Sequence, residues 1–215
     1  ILVYFFLLII VSSISNNSIN NNKLNKIKKI NVSGLNENDN QKLINEIKKL
    51  SLGNIFFINK SEIIKLLNEN SLIERYEVFK KYPSTIDIKI EQTKFYAKIN
   101  NKGKTFLIGS NGKFTLSKTD NSKLPYIFGK PNINEFLKFK KIIDESKFSY
   151  NEIKNLYFFP SNRWDLKLKD DILLRLPNEP TYETLNYLHE FLENYKRESL
   201  NIVDARIENQ IILNE

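Results

Sequence analysis

The stretch that most constrains this chain is Glu74–Ala97. Within it Ile86, Ile88 and Ile90 alternate with Asp87, Lys89 and Glu91. A period of two puts the isoleucines on one face of a pleated strand and the charges on the other. Upstream, Tyr76 and Val78 alternate with charged neighbours until Tyr82-Pro83-Ser84 interrupts the pattern. Proline lacks a backbone donor and biases the residue before it toward extended geometry, which suits a connection between antiparallel strands. The spacing predicts a β-hairpin with one dry face and one wet face. Cover for the dry face comes from two short amphipathic helices. Leu43, Ile44, Ile47 and Leu50 share one side of Glu37–Leu50, and Ile63, Ile64, Leu66 and Leu67 share one side of Ser61–Asn70. Asn59 or Ser61 is placed to cap the second helix. Burying each aliphatic side chain is worth roughly 1.5–3 kcal/mol, so the stripes are expected to be core rather than partner surface.

A first strand is predicted in Lys26–Gly34 from Ile27, Ile30 and Val32. The pieces then run Ile30-Asn31-Val32-Ser33-Gly34, Gly53-Asn54-Ile55-Phe56-Phe57-Ile58, and Val78 through Ile90 with its Tyr-Pro-Ser-Thr break. In order and spacing they resemble the POTRA domain of the FtsQ/DivIB family. Gln92 stands where that family commonly has Glu, and Phe95 where it has Pro before the residue matched by Ala97. The resemblance implies a β-α-α-β-β domain.

The second half continues the likeness to the C-terminus. Strand-like pieces fall at Phe95–Ile99, Lys104–Ile108, Lys113–Leu116 and Leu124–Phe128, and Asn111-Gly112 between apolar runs is a hairpin signal. Asn132 with Glu135 predicts a capping box opening a helix that ends near Ser146, with Phe136, Phe139, Ile142 and Ile143 as its buried stripe. Ile153–Phe159 and Trp164–Leu168 read as strands. Trp164, Leu166 and Leu168 share the dry face, and Asp165, Lys167 and Lys169 the wet one. Trp164 is expected in the core. Ile172–Leu176 pairs with this strand across Asp170-Asp171, where the family commonly turns on Gly. Thr181–Arg197 is a helix with Leu185, Leu188, Leu192 and Tyr195 in register. Asn201–Arg206 resembles the family's Val-Asp-Leu-Arg strand, with Ala205 in place of Leu. The expected fold class is α+β: a transmembrane helix remnant, a POTRA domain, then a mainly antiparallel β domain with flanking helices.

Ile1–Val11 is an unbroken apolar run that fades through Ile14. A spanning helix needs about 20 apolar residues, so this run fits either part of an anchor or the core of a signal peptide. Lys23, Lys26, Lys28 and Lys29 would on a bare positive-inside rule keep the body in the cytoplasm. The resemblance implies an anchor with the body outside the cytoplasmic membrane. The expected organisation is 1–14 truncated transmembrane helix, 15–25 polar linker rich in Ser and Asn, 26–93 POTRA domain and 94–215 β domain.

Composition narrows the chemistry. The chain of 215 residues carries a formal charge of +8, but its lysines are scattered among acids, without an arginine-rich run or stacked aromatic motif. Nucleic acid is therefore not the expected partner. Zero cysteines excludes disulfides and thiolate metal sites. The one histidine, His189, sits inside an amphipathic helix and is expected at its surface or boundary. No phosphate-binding loop, dinucleotide fingerprint or nucleophile elbow appears. Asp170-Asp171 and Glu179/Glu183 read as solvated charge, and no catalytic residue, cofactor or metal is expected.

The resemblance implies a non-enzymatic bitopic scaffold of the bacterial division machinery, on the inner membrane at the septum, binding FtsB-like and FtsL-like proteins. Two alternatives are a POTRA-bearing secretion or assembly factor, which would need a membrane barrel, and a cell-wall enzyme. The partner site implied by position is the C-terminal edge, where an uncovered strand offers unpaired backbone groups. It comprises Arg206, Ile207, Glu208, Asn209, Gln210, Ile211 and Ile212, with Ile207–Leu213 continuing or closely following the Asn201–Arg206 strand.

Overall fold

The structure, a computed structural model, describes residues 3–7, 9–10, 26–50, 52–117, 123–195, 200–207 and 210–214. The chain divides into two compact units, Ile1–Gln92 and Thr93–Glu215. Residues 3–7 and 9–10 are helical and exposed. Among the described residues no helix is long and apolar enough to cross a membrane. The expected linker at 15–25 lies outside the described residues.

In the first unit β1 (Lys29–Ser33), α1 (Glu37–Lys49) and α2 (Ser61–Glu69) precede the hairpin β2 (Ile73–Lys81) and β3 (Thr85–Gln92). The sheet order is β1-β3-β2, with β3 parallel to β1 and antiparallel to β2. Ile88 stands at its centre, opposite Val32 on one side and Val78 on the other. Ile86, Ile88 and Ile90 are buried against Leu43 and Ile47 of α1 and Ile63 and Leu67 of α2. The connection at Tyr82-Pro83 contains a cis peptide bond. Asn36 caps α1 by accepting from the Asp39 N–H. The α2 cap is Lys60, whose side chain makes no capping bond; the Asn59 carboxamide instead accepts from the Ser61 N–H at 3.0 Å.

The second unit forms a sheet ordered β12-β11-β10-β9-β8-β7-β4-β5-β6 among the described residues. Its strands are β4 (Phe95–Asn101), β5 (Lys104–Gly109), β6 (Phe114–Leu116), β7 (Tyr126–Phe128), β8 (Ile153–Phe158), β9 (Trp164–Leu168), β10 (Leu173–Arg175), β11 (Ile202–Asp204) and β12 (Ile212–Asn214). Most neighbours are antiparallel, but β4–β7, β7–β8 and β10–β11 are parallel. Parallel pairing needs a crossover, and helices α3 (Ile133–Glu145) and α4 (Tyr182–Asn194) supply two of them.

One register row crosses the sheet as Leu213, Val203, Leu174, Leu166, Leu156, Ile127, Ile99 and Phe106. Residues opposed in register project from the same face. All eight belong to or pack on one apolar cluster, together with Phe136, Phe139 and Ile143 of α3 and Leu185, Leu188 and Leu192 of α4. The Trp164 ring stacks on Phe139 at 4.8 Å in the same layer. Both helices therefore cover one face, and the capping box expected at Asn132 and Glu135 holds the start of α3. Tyr195 departs from its expected place in the α4 stripe. The helix ends before it, and its exposed ring stacks on Phe191 at 5.2 Å.

Candidate interaction site

The next register row projects from the sheet face opposite the helices. It runs Phe128, Tyr157, Asp165, Arg175, Asp204 and Ile212 from β7 to β12. Its first two members are aromatic and stack at 4.9 Å. Its middle three alternate in charge on β9, β10 and β11, an arrangement in which each cross-strand neighbour attracts the next. Two further arginines complete the cluster. Arg163 Nε donates to Asp165 Oδ1 at 3.1 Å, and Arg206 Nη2 donates to Asp204 Oδ2 at 2.7 Å. Arg175 Nη1 lies 3.5 Å from Asp204 Oδ2. The Arg206 guanidinium holds the Asp204 carboxyl below its usual range, against the opposing pull of burial, and Arg175 adds to the effect. Asp204 in turn holds the Arg206 proton more tightly.

Asp165 was expected on the wet side of its strand and is only 2% exposed. It does point away from the helices. What buries it is its company: the Arg163 chain folds over it, and the Leu176 N–H donates to its Oδ1 at 3.3 Å. Long arginine stems cover surface that the strand alone would leave open. Arg175 and Asp165 are residues that reading the C-terminal segment alone misses. The available signal was a charge at the outward position of three strands, in Trp164-Asp165-Leu166, Leu174-Arg175-Leu176 and Val203-Asp204-Ala205.

The segment 206–212 does not run on as one strand. Arg206 and Ile207 follow the end of β11, and the Gln210 N–H donates to the Ile207 carbonyl at 3.2 Å, so the chain reverses. Glu208 and Asn209 lie outside the described residues. Ile211 packs on the apolar cluster, whereas Ile212 opens β12 with 53% of its surface exposed. β12 thus covers β11 and is the outermost strand at this end among the described residues. Beside the reversal a cleft of about 650 Å³ is lined by Ala205, Arg206, Ile207 and Gln210 on one wall and by Thr181, Thr184 and Tyr187 of the α4 start on the other.

Outside this edge several titratable groups pack against aromatic or charged neighbours. The His189 ring stands edge-on to Phe148 at 5.2 Å, with Nδ1 3.7 Å from Glu193 Oε2. Lys140 is buried with its ammonium over the Tyr96 and Tyr150 rings, at 4.6 and 4.2 Å, and is bonded to Asp144. Burial pushes the Tyr150 phenol above its ordinary value, and its hydroxyl donates to the Tyr96 carbonyl at 2.8 Å. Asp170, Asp171, Glu179 and Glu183 are exposed. Among the described residues no cluster of three or more His, Asp or Glu groups is arranged to hold a metal ion.

A three-stranded β-α-α-β-β unit followed by a mixed sheet with helices on one face defines a POTRA-plus-β-domain protein. The FtsQ-type POTRA domain model matches residues 25–92, and the model of the C-terminal domain of cell division protein FtsQ/DivIB matches residues 91–206. The chain belongs to the FtsQ/DivIB family of cell division proteins. It is 27% identical over 191 residues to cell division protein FtsQ of Rickettsia bellii, spanning 80% of this chain and 67% of that one. It is 28% identical over 97 residues to cell division protein DivIB of Staphylococcus aureus, spanning 45% of this chain and only 22% of that relative. A solved structure of the major extracytoplasmic domain of DivIB from Geobacillus stearothermophilus aligns with 48% of this chain and 87% of its own, at 13% identity and a TM-score of 0.33. Nothing about the fold rests on that last likeness.

Proposed function

We propose that this division protein is a non-enzymatic bitopic scaffold. In this reading the apolar Ile1–Ile14 stretch is part of a membrane anchor, and both compact units lie outside the cytoplasmic membrane at the septum. The C-terminal edge receives a strand of an FtsB-like protein, with an FtsL-like protein alongside. One observation carries the assignment: among the described residues β12 is the outermost strand at its end of the second unit's sheet, and its exposed Ile212 ends the row that holds the paired charges. A terminal strand offers a backbone edge to an incoming chain. The bare face beside it supplies Arg175 and Arg206, each partly exposed, for acidic side chains of that chain. The adjoining cleft with Tyr187 and Ile207 gives apolar side chains a place to dock.

The test is capture of the FtsB-like protein by the full-length chain carrying Ile212→Lys. The variant keeps its melting curve, because Ile212 faces solvent, and loses the partner and its retention at the septum. Undiminished capture overturns the edge-strand site. A reporter fused after Glu215 that is active only in the cytoplasm overturns the topology, and hydrolysis of purified peptidoglycan by the chain overturns the non-enzymatic reading.

A further inference from the structure

The first unit carries an exposed aromatic patch that neither its core nor the C-terminal edge uses. Ile55 and Ile58 are buried, and the Asn54 side chain accepts from the Phe56 N–H at 2.9 Å while the Asn54 carbonyl accepts from the Phe57 N–H at 3.1 Å. With both ends of the turn pinned inward, the two phenylalanines between them are driven outward. Phe57 is 87% exposed, and Phe56 stacks at 4.9 Å on Tyr82, itself 60% exposed at the tip of the β2–β3 hairpin. A contiguous apolar patch at a domain tip marks a contact surface rather than a packing accident.

The path of the chain says what meets this patch. Lys28 N–H donates to the Ser84 carbonyl at 2.8 Å, Ile27 N–H to the Gly53 carbonyl at 3.4 Å, and Lys26 bridges to Asn54. The chain therefore enters the domain between the two aromatic turns, coming from the apolar run Ile1–Val11. The intervening Ser12–Asn25 is 14 residues, which reach at most about 50 Å when fully extended. Lys26 and Lys28 are exposed at the entry, and Lys80 Nζ reaches the Phe56 carbonyl at 3.4 Å. Asp87, near the hairpin tip, is ion-paired with Lys81. Aromatic rings settle at the headgroup level of a bilayer, and lysines are drawn to anionic lipid.

We infer that Phe56, Phe57 and Tyr82, ringed by Lys26, Lys28 and Lys80, dock the first unit onto the anionic surface of the membrane that holds the apolar segment. The inference rests on the anchor reading above. Docking fixes the height and tilt of this unit over the bilayer.

The test uses the full chain on vesicles containing phosphatidylglycerol, with and without bromine on the acyl chains as a contact quencher of tryptophan. Trp164 is buried and supplies a constant background. The emission added by Phe57→Trp is expected to be largely lost on brominated vesicles. The emission added by Arg75→Trp, at the start of β2 and so remote from the hairpin tip, is expected to survive. Replacing phosphatidylglycerol by phosphatidylcholine is expected to restore much of the Phe57→Trp signal, and full quenching on the neutral lipid overturns the role given to the lysines. A chain that floats with the vesicles while Phe57→Trp stays as bright as Arg75→Trp overturns the docking face alone and leaves the patch to a protein partner. A chain that does not float overturns the anchor and the docking face together.

Discussion

Asp204 holds Arg206, two residues further along the same chain, through two guanidinium nitrogens, Nε at 2.9 Å and Nη2 at 2.7 Å. The contact ties the end of β11 to the chain reversal that brings β12 back beside it. Asp204→Asn removes the charge and leaves Arg206 and Arg175 without their shared carboxylate. Bonds to charged groups are worth about 1.5–3 kcal/mol, and a loss of that order is expected in denaturant unfolding at neutral pH. The pH dependence has a definite sign. The folded carboxyl sits below its ordinary value of 3.8, so its contribution is present above that value and lost as pH falls through the folded one. The gap between wild type and Asp204→Asn should therefore close under more acid conditions. A gap that stays constant on acidification shows that the pair does not stabilise the fold.

Gly34 follows β1 with φ +113°, and a Cβ built there would lie 1.8 Å from the Ile90 carbonyl oxygen. The obstacle is backbone in the central strand, so no side chain can swing aside. Gly34→Ala is expected to cost at least about 2 kcal/mol, from the strained dihedral and the forced parting of β1 from β3. Urea unfolding of the full chain should show the loss as a lowered midpoint of the transition belonging to the first unit. An unmoved midpoint contradicts the close approach.

Ile88 is 1% exposed with a strand on either side. Ile88→Asp forces a carboxylate into that layer without a partner, at a cost of several kcal/mol, on the order of a small domain's whole stability. The two units have separate apolar clusters, so the second should keep its near-ultraviolet signal from Trp164 while the first loses its helical signal. An unchanged melting curve means the buried face of the hairpin has been misassigned.

The hairpin was legible because its information is local: three isoleucines at a period of two can be buried on one face only in one register. The α3 capping box was legible for the same reason, Asn132 and Glu135 meeting within one turn. What local pattern could not show was which distant strands would become neighbours. Asp165, Arg175 and Asp204 are separated by ten and by 29 positions, and only the parallel pairing of β10 with β11 places the three in one row. The burial of Asp165 rests partly on a distant group as well, because the Leu176 N–H that donates to it comes from just beyond β10, while Arg163 lies only two residues away. A strand over Asn201–Arg206 with Ile207–Leu213 continuing or closely following it was expected, and β11 and β12 lie in those stretches, but the reversal at Ile207–Gln210 was not foreseen. Its physical cause is a turn bond between those two residues, with no glycine or proline to announce it.

Ile212 and Leu213 are adjacent, and the pairing of β12 with β11 gives them opposite surroundings. Leu213 faces Val203 on the helix-covered side and packs on the apolar cluster, while Ile212 faces Asp204 on the open side. If this pairing holds β12 in place, Leu213→Asp puts a charge against the core and should cost several kcal/mol, about the penalty of burying an unpaired polar group. Ile212→Lys, opposite Asp204, should change stability by no more than about 0.5 kcal/mol, as surface substitutions usually do. Chain ends are often frayed, and a frayed end would make both substitutions neutral. Chemical unfolding of the two variants side by side reads the difference. A large loss for Leu213→Asp alone establishes β12 as a seated edge strand, and equal neutrality removes the strand on which the partner site depends.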